Sequence, residues 1–184
     1  MKTEDEIEQK YKELFFYTDD NGNPRYSAYY YGMGMGDGWL GLIDSICFAI
    51  SEYQKNRSRE LLIENATDRL SSYYKYPRRR IYKELQKYIS KRVAIYSRHG
   101  EEVVYRDVLI DQIKEKFGGL RMYTDYGDRV TQALVDFGEE FSFRICEVCG
   151  KRGKLRRDGY WLVTLCNKHW AERTARRGKF KNNN

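Results

Sequence analysis

Apolar residues recur at helical spacing through most of the first half of the chain. Ile7, Tyr11, Leu14 and Phe15 share one face, and Thr3 with Glu6 forms a capping box ahead of them, so the pattern predicts a helix over residues 3–17. The run 18–24, TDDNGNP, is dense in turn formers and reads as a loop. After a glycine-studded segment, 29–39, a second helical period carries Trp39, Leu42, Ile43, Ile46, Ile50 and Tyr53. A third covers 59–74 through Leu62, Ala66, Leu70 and Tyr73. Pro77 ends it and suits the start of a fourth helix through Ile81, Leu85, Tyr88 and Ile89.

From Val93 the pattern changes. Residues 103–105 and 108–113 are rich in β-branched and aromatic side chains, and Phe117-Gly118-Gly119-Leu120 stands between two alternating runs. That suggests a hairpin turning at the glycines, with a return strand over 120–124. A helix over 108–117 ended by Gly118 fits the same periodicity, and both readings stay open. Val130, Leu134, Phe137, Phe141 and Ile145 restore helical spacing over 128–145. No repeat of 20–50 residues stands out, and only the terminal KNNN is of low complexity.

Composition narrows the class. A chain of 184 residues can bury a core without disulfides. Although 33% of residues are charged and mean hydropathy is −0.82, aromatics make up 15%, which argues against disorder. The longest apolar stretch, 39–50, contains Asp44 and is too short to span a bilayer. The first residues, MKTEDE, lack the apolar core of a secretory signal. A soluble cytoplasmic protein is expected, with no membrane partner.

Charge is distributed unevenly. The total is +7, yet residues 151–184 hold eleven basic and two acidic side chains and so carry +9, leaving −2 for residues 1–150. A localised cationic block is the electrostatic footprint of a polyanion partner, nucleic acid above all, or of a solvated surface that keeps the protein soluble.

The sharpest chemistry is Cys146-x2-Cys149 followed, sixteen residues on, by Cys166-x2-His169. Two residues between ligands let one tight turn aim both side chains at a single ion. Gly150 permits the reversal of a knuckle, Asp158-Gly159 suits a hairpin turn, and 160–165 is an apolar β-prone run. After Cys166 the sequence becomes helix-forming, which places Cys166 and His169 in a first turn. Knuckle, hairpin and ligand-bearing helix resemble a treble-clef zinc finger. Three thiolates and an imidazole select Zn²⁺ over oxygen-loving Mg²⁺ or Ca²⁺. Four protein ligands leave no position for water, so a structural ion is expected.

Arg173, Arg176 and Arg177 fall at i, i+3 and i+4 on the helix after the site, Lys181 continues them, and Arg156 and Arg157 precede the hairpin turn. These six are the candidate phosphate contacts, because guanidinium groups fork onto phosphate oxygens. Lys114, Lys116, Gly118, Gly119 and Arg121 form a basic glycine turn that could nest an anion, with an ordinary hairpin as the plainer reading. GMGMGDG at 32–38 lacks the Gly-Lys-Ser/Thr of a P-loop, yet could place amides at the start of the Trp39 helix. Catalysis finds little support: His169 is committed to metal, His99 has no identifiable partner and Cys47 lies on an apolar helix face. Arg78-Arg79-Arg80 reads as a solvated helix start.

Taken in order, Gly36-Asp37-Gly38-Trp39 with Leu42-Ile43, then QIKEKFGGLRMY at 112–123, Cys146-x2-Cys149-Gly150, and Trp161 with Thr164-Leu165-Cys166 resemble a family of small bacteriophage and prophage proteins, largely of unassigned function. The resemblance spans roughly residues 36–170, where the family usually has Cys in place of His169. It implies a phage origin and expression in a host bacterium's cytoplasm. It also gives weight to a counter-defence role, by capturing a host defence protein or a cyclic or linear nucleotide, around Asp37, Trp39, Lys114, Lys116, Gly118, Gly119 and Arg121. The expectation is an α+β protein: a mostly helical body, 1–144, with a small hairpin or sheet, closed by a treble-clef-like zinc module, 145–184. Its expected work is non-catalytic contact with nucleic acid or a nucleoprotein complex. A metal-dependent nuclease would need an open metal site.

Overall fold

The amino-terminal helix starts where the capping box places it. Thr3 Oγ1 accepts from the Glu6 amide and Glu6 Oε2 accepts from the Thr3 amide, opening α1 (Glu4–Lys10). It does not continue to residue 17. Tyr11 leaves helical geometry at φ −121°, ψ 38°, and its hydroxyl donates to Asp44 Oδ1 at 2.9 Å. A short α2 (Lys12–Phe15) then gives way to β1 (Phe16–Thr18), paired antiparallel with β2 (Pro24–Tyr26). Phe15 is buried while Phe16 is exposed. Adjacent aromatics facing opposite ways suit the period of a strand, not that of a helix. The structure is a computed structural model that describes residues 3–18, 24–26, 33–98 and 107–181. The expected strand at 103–105, His99 and the last three residues of KNNN lie outside these.

Three helices then follow the sequence expectation closely. The helix α3 (Leu40–Asn56) is buried along most of its circumference, α4 (Arg59–Tyr74) is capped by Ser58 Oγ accepting from the Leu61 amide, and α5 (Arg78–Arg98) begins directly after Pro77. Asp44, fully buried in the middle of α3, accepts from the Tyr11 and Tyr73 hydroxyls and from the Arg69 guanidinium. One carboxylate thus ties α2's leading residue and α4 to α3. A buried charge persists only when satisfied in this way.

The ambiguous run at 108–117 is a strand. β3 (Leu109–Lys116) pairs antiparallel with β4 (Gly119–Asp125), reversing over Phe117 and Gly118 at φ 55° and 78°. Two successive left-handed residues make the tight turn whose twist matches the flanking strands. The helix α6 (Arg129–Ser142) starts from Asp128, whose carboxylate accepts from the Val130 and Thr131 amides and from the Tyr53 hydroxyl of α3. It packs against α3, α5 and β4, so the hairpin lies on the helical layer.

Residues 145–181 complete the chain as a knuckle, β5 (Lys154–Asp158) paired antiparallel with β6 (Trp161–Leu165), and α7 (Asn167–Lys181). The described architecture is therefore α+β and mostly helical, with three two-stranded antiparallel sheets. No helix among the described residues is long and apolar enough to cross a membrane.

The knuckle is seated on the body through main-chain bonds. A 3-10 turn over Asp37–Trp39 presses against it: the Gly38 amide donates to Glu147 O at 2.7 Å, and Trp39 Nε1, fully buried, donates to Ile145 O at 3.0 Å. On its other side Thr164 Oγ1 donates to Gly118 O at the β3–β4 turn. The glycines are there for proximity. A β-carbon at Gly38 would lie 2.1 Å from Cys146 O and 2.6 Å from the Gly150 amide nitrogen, both main-chain atoms that cannot swing aside. At Gly34 the same atom would meet only Lys114 Cβ, at 3.7 Å. Gly38→Ala is accordingly expected to cost about 1–3 kcal/mol in denaturant unfolding, the range for overpacking, while Gly34→Ala stays within about 0.5 kcal/mol of the parent.

Candidate metal centre

Cys146 and Cys149 sit on the knuckle, whose turn is closed by the Gly150 amide donating to Cys146 O at 2.9 Å and by the Cys146 amide donating to Lys151 O at 2.7 Å. Gly150 holds φ 70°, which a side-chain-bearing residue rarely adopts. Cys166 immediately precedes α7 and its carbonyl accepts from the Trp170 amide, so His169 lies within the first helical turn as expected. The four ligand atoms all lie within 4.8 Å of one another and can hold a metal ion. Individual edges are Cys146 Sγ to His169 Nδ1 3.3 Å, Cys166 Sγ to His169 Nδ1 3.4 Å and Cys149 Sγ to Cys166 Sγ 3.9 Å. No disulfide joins them.

Local electrostatics prepare two of the sulfurs differently. Burial pushes the Cys149 thiol up to about 11, with the neighbouring Cys146 and Cys166 adding to the rise. At Cys166 burial acts in the same sense, but the amides of His169 and Lys168 at the helix start, together with the other cysteines, outweigh it and the net shift is downward. Glu172 Oε2 stands 3.9 Å from His169 Nε2, leaving Nδ1 toward the sulfurs. A carboxylate behind a ligating imidazole fixes which nitrogen meets the ion.

The expected phosphate contacts divide into two groups. Arg173 and Arg177 do not share a free face: both pair with Asp158, which is buried at the end of β5. Arg173, then Arg177, hold the Asp158 carboxyl below the usual carboxylate range. They are fasteners between hairpin and helix, a role hidden in sequence because Asp158 reads as a turn residue. Arg157 and Arg176 are exposed. Arg156 is half-buried, stacked on Trp170 with 5.3 Å from guanidinium to ring, and donates to Leu165 O and Asn167 Oδ1. The side chain of Lys181 lies outside the described residues.

The candidate anion residues are likewise not gathered into one cavity. Trp39 is a core residue. The Gly118 amide donates to Glu115 Oε1 at 2.6 Å, and Gly119 packs against the Phe143 ring, so the turn is engaged in packing. Lys114 lies over Tyr123, Lys116 over Phe117, and Arg121 donates to Leu120 O and approaches Glu139. Asp37 alone stands beside the knuckle, in a cleft of about 450 Å³.

Other cations converge instead. A groove of about 550 Å³ between knuckle, β5 and the start of α7 is lined by Arg144, Lys151, Arg152, Lys154, Arg156 and Lys168, with Tyr76 at its wall. No carboxylate lines it. Arg152 lies over the Tyr76 ring at 4.8 Å, and Glu84 and Glu172 pair with Arg144 and Lys168. Sequence counted these cations but could not place them, because strand and knuckle residues carry no helical spacing to align them.

Because the thiols must give up their protons to a metal, binding releases protons and weakens as pH falls. His169→Cys is expected to keep a stoichiometric ion. His169→Ala should lose affinity by more than the roughly 10–100-fold typical of changes one layer out. Cobalt titration, read at the thiolate charge-transfer band across pH, measures both. Scans against protein-family models and searches of curated proteins and of solved structures find no match to the chain.

Proposed function

We propose that the chain is a non-catalytic nucleic-acid-binding protein whose platform is held rigid by a structural Zn²⁺ at Cys146, Cys149, Cys166 and His169. Tetrahedral zinc with sulfur at about 2.3 Å and nitrogen at about 2.0 Å sets edges of about 3.8 Å between sulfurs and about 3.5 Å from sulfur to nitrogen. Three of the six edges, at 3.9 Å, 3.3 Å and 3.4 Å, lie near those values, and all six fall within 4.8 Å. Four protein ligands close the coordination shell, which favours a structural ion over one that activates water.

The observation that carries the nucleic-acid reading is the groove: six cationic side chains line it, no carboxylate is among its lining residues, and only Arg144 and Lys168 of the six pair with acids beside it, Glu84 and Glu172. Arg157 and Arg176 are exposed outside the groove. Phosphate contacts of this type give affinity without reading sequence. The likeness to phage proteins makes a host nucleoprotein a fitting carrier of that nucleic acid. Sequestration of a host protein or nucleotide by the full set from Asp37 to Arg121 is less favoured, because Trp39, Gly118 and Gly119 are spent on packing.

Binding of a fluorescent single-stranded oligonucleotide tests this. With six phosphates neutralised, log affinity is expected to fall with log salt at a slope of about −4. Replacing Lys151, Arg152 and Lys154 together by Glu should weaken binding at least about tenfold and flatten the slope. Arg173→Ala should instead loosen the hairpin against α7, lowering thermal stability more than affinity. The Asp158 pairs are formed above the unfolded carboxylate range and are lost as pH falls through the lower folded value, so this loosening should also appear in the parent protein on acidification. A salt-independent affinity would refute the reading.

A further inference from the structure

The cleft holding Asp37 has a composition unlike that of the adjoining groove. Its wall is the Tyr73 ring, its floor is the knuckle at Cys149 and Gly150, and its rim carries Lys75, Lys151 and Arg152. Lys151 and Arg152 also line the cationic groove, so the two cavities adjoin. From this geometry we infer that the cleft receives one nucleotide, its base against Tyr73 and its phosphate on Lys75, Lys151 and Arg152, with Asp37 accepting from an exocyclic amino group. The inference rests on the nucleic-acid reading above and names the unit that enters this end of the groove.

Tyr73 is held in place. Its hydroxyl donates to the buried Asp44 at 2.6 Å, and its ring lies so close to Gly41 that a β-carbon there would stand 2.8 Å away. Even so, the residue is 40% exposed. A fixed ring with an open side is a stacking platform that needs no ordering when a base arrives, and such stacking contributes about 1–3 kcal/mol per base. Asp37 is exposed and lines the cleft. An ionised carboxylate is an acceptor only, so it favours bases that present an amino group and disfavours uracil, whose matching edge is a carbonyl. Lys75 ends α4 in the left-handed region, φ 56°, a conformation that costs energy for a residue with a side chain. That strain places a cation at the rim. The volume, about 450 Å³, is in the range of small-ligand pockets.

A free nucleotide and a strand terminus offer the same chemistry, so calorimetry is done with both. Cytidine and uridine monophosphates, and dodecamers of each, are titrated into the zinc-loaded protein, its Asp37→Asn and Lys75→Ala variants, and a Lys154→Glu/Lys168→Glu variant of the groove. Metal content and unfolding midpoint confirm that every variant is folded. The wild type is expected to prefer the cytidine ligands by about tenfold. Asp37→Asn should remove that preference, and Lys75→Ala should weaken both monophosphates while leaving the preference for cytidine in place. The groove variant should weaken the dodecamers alone. A preference seen only in the dodecamers assigns the cleft to a strand, and one seen in the monophosphates assigns it to a free nucleotide as well. Equal affinity for cytidine and uridine ligands, or a preference that survives Asp37→Asn, would overturn the inference while leaving dodecamer binding to speak for the groove. Monophosphate binding without any dodecamer binding would instead overturn the nucleic-acid reading and keep the cleft.

Discussion

The approach of main chain to main chain between Gly38 and the knuckle is the constraint on which the carboxy-terminal architecture depends. A ligand turn so short cannot bury itself, and its carbonyls at Ile145 and Glu147 would otherwise face water or go unsatisfied. They accept from Trp39 Nε1 and the Gly38 amide, and the Glu147 amide donates to Thr164 O on β6. The helix α3 begins one residue after Trp39, so the metal-ligand turn is fixed directly to the most buried helix of the body.

This arrangement explains why two glycine-rich motifs that invite a ligand-binding reading are engaged in packing. Gly38 admits the Cys146 carbonyl, and Gly118 admits Leu155 and the β6 backbone, where a β-carbon would lie 2.5 Å and 2.9 Å from the nearest atoms. From sequence, a glycine that lets a ligand approach and a glycine that lets another part of the chain approach are the same letter. The metal ligands were legible because their spacing encodes a local turn. The helices at 59–74 and 129–142 were legible because apolar periodicity and side-chain caps coincide, and that at 40–56 by its apolar periodicity alone. The break at Tyr11 was not, since it follows from a hydrogen bond to Asp44, thirty-three residues away.

Charge obeys the same distinction between count and placement. The tail's excess of cations is plain in the sequence, but the helical arithmetic that grouped Arg173 and Arg177 took no account of the strand beside them. Asp158 sits at the strand end nearest α7 and draws both guanidinium groups onto itself. Attraction between partly buried partners outweighs the solvation an exposed arginine would keep, and the charges are used to fasten the hairpin. The cations of the groove, Lys151, Arg152, Lys154 and Arg156 among them, have no carboxylate among the residues that line it with them.

Metal, groove and cleft are thereby joined through a few atoms. Cys149 and Gly150 form the cleft's floor, Lys151 accepts the Cys146 amide through its carbonyl while its side chain lines both cavities, and Arg152 spans them over Tyr76. Side chains this close to a ligand pair inherit its rigidity, because the turn they belong to has no freedom once four ligands are bound. An ion that performs no chemistry can still govern recognition. On the proposed reading, an ion at these four ligands would hold the main chain of Lys151 and Arg152 in place and so lower the ordering cost that cationic residues on a mobile loop would meet on binding.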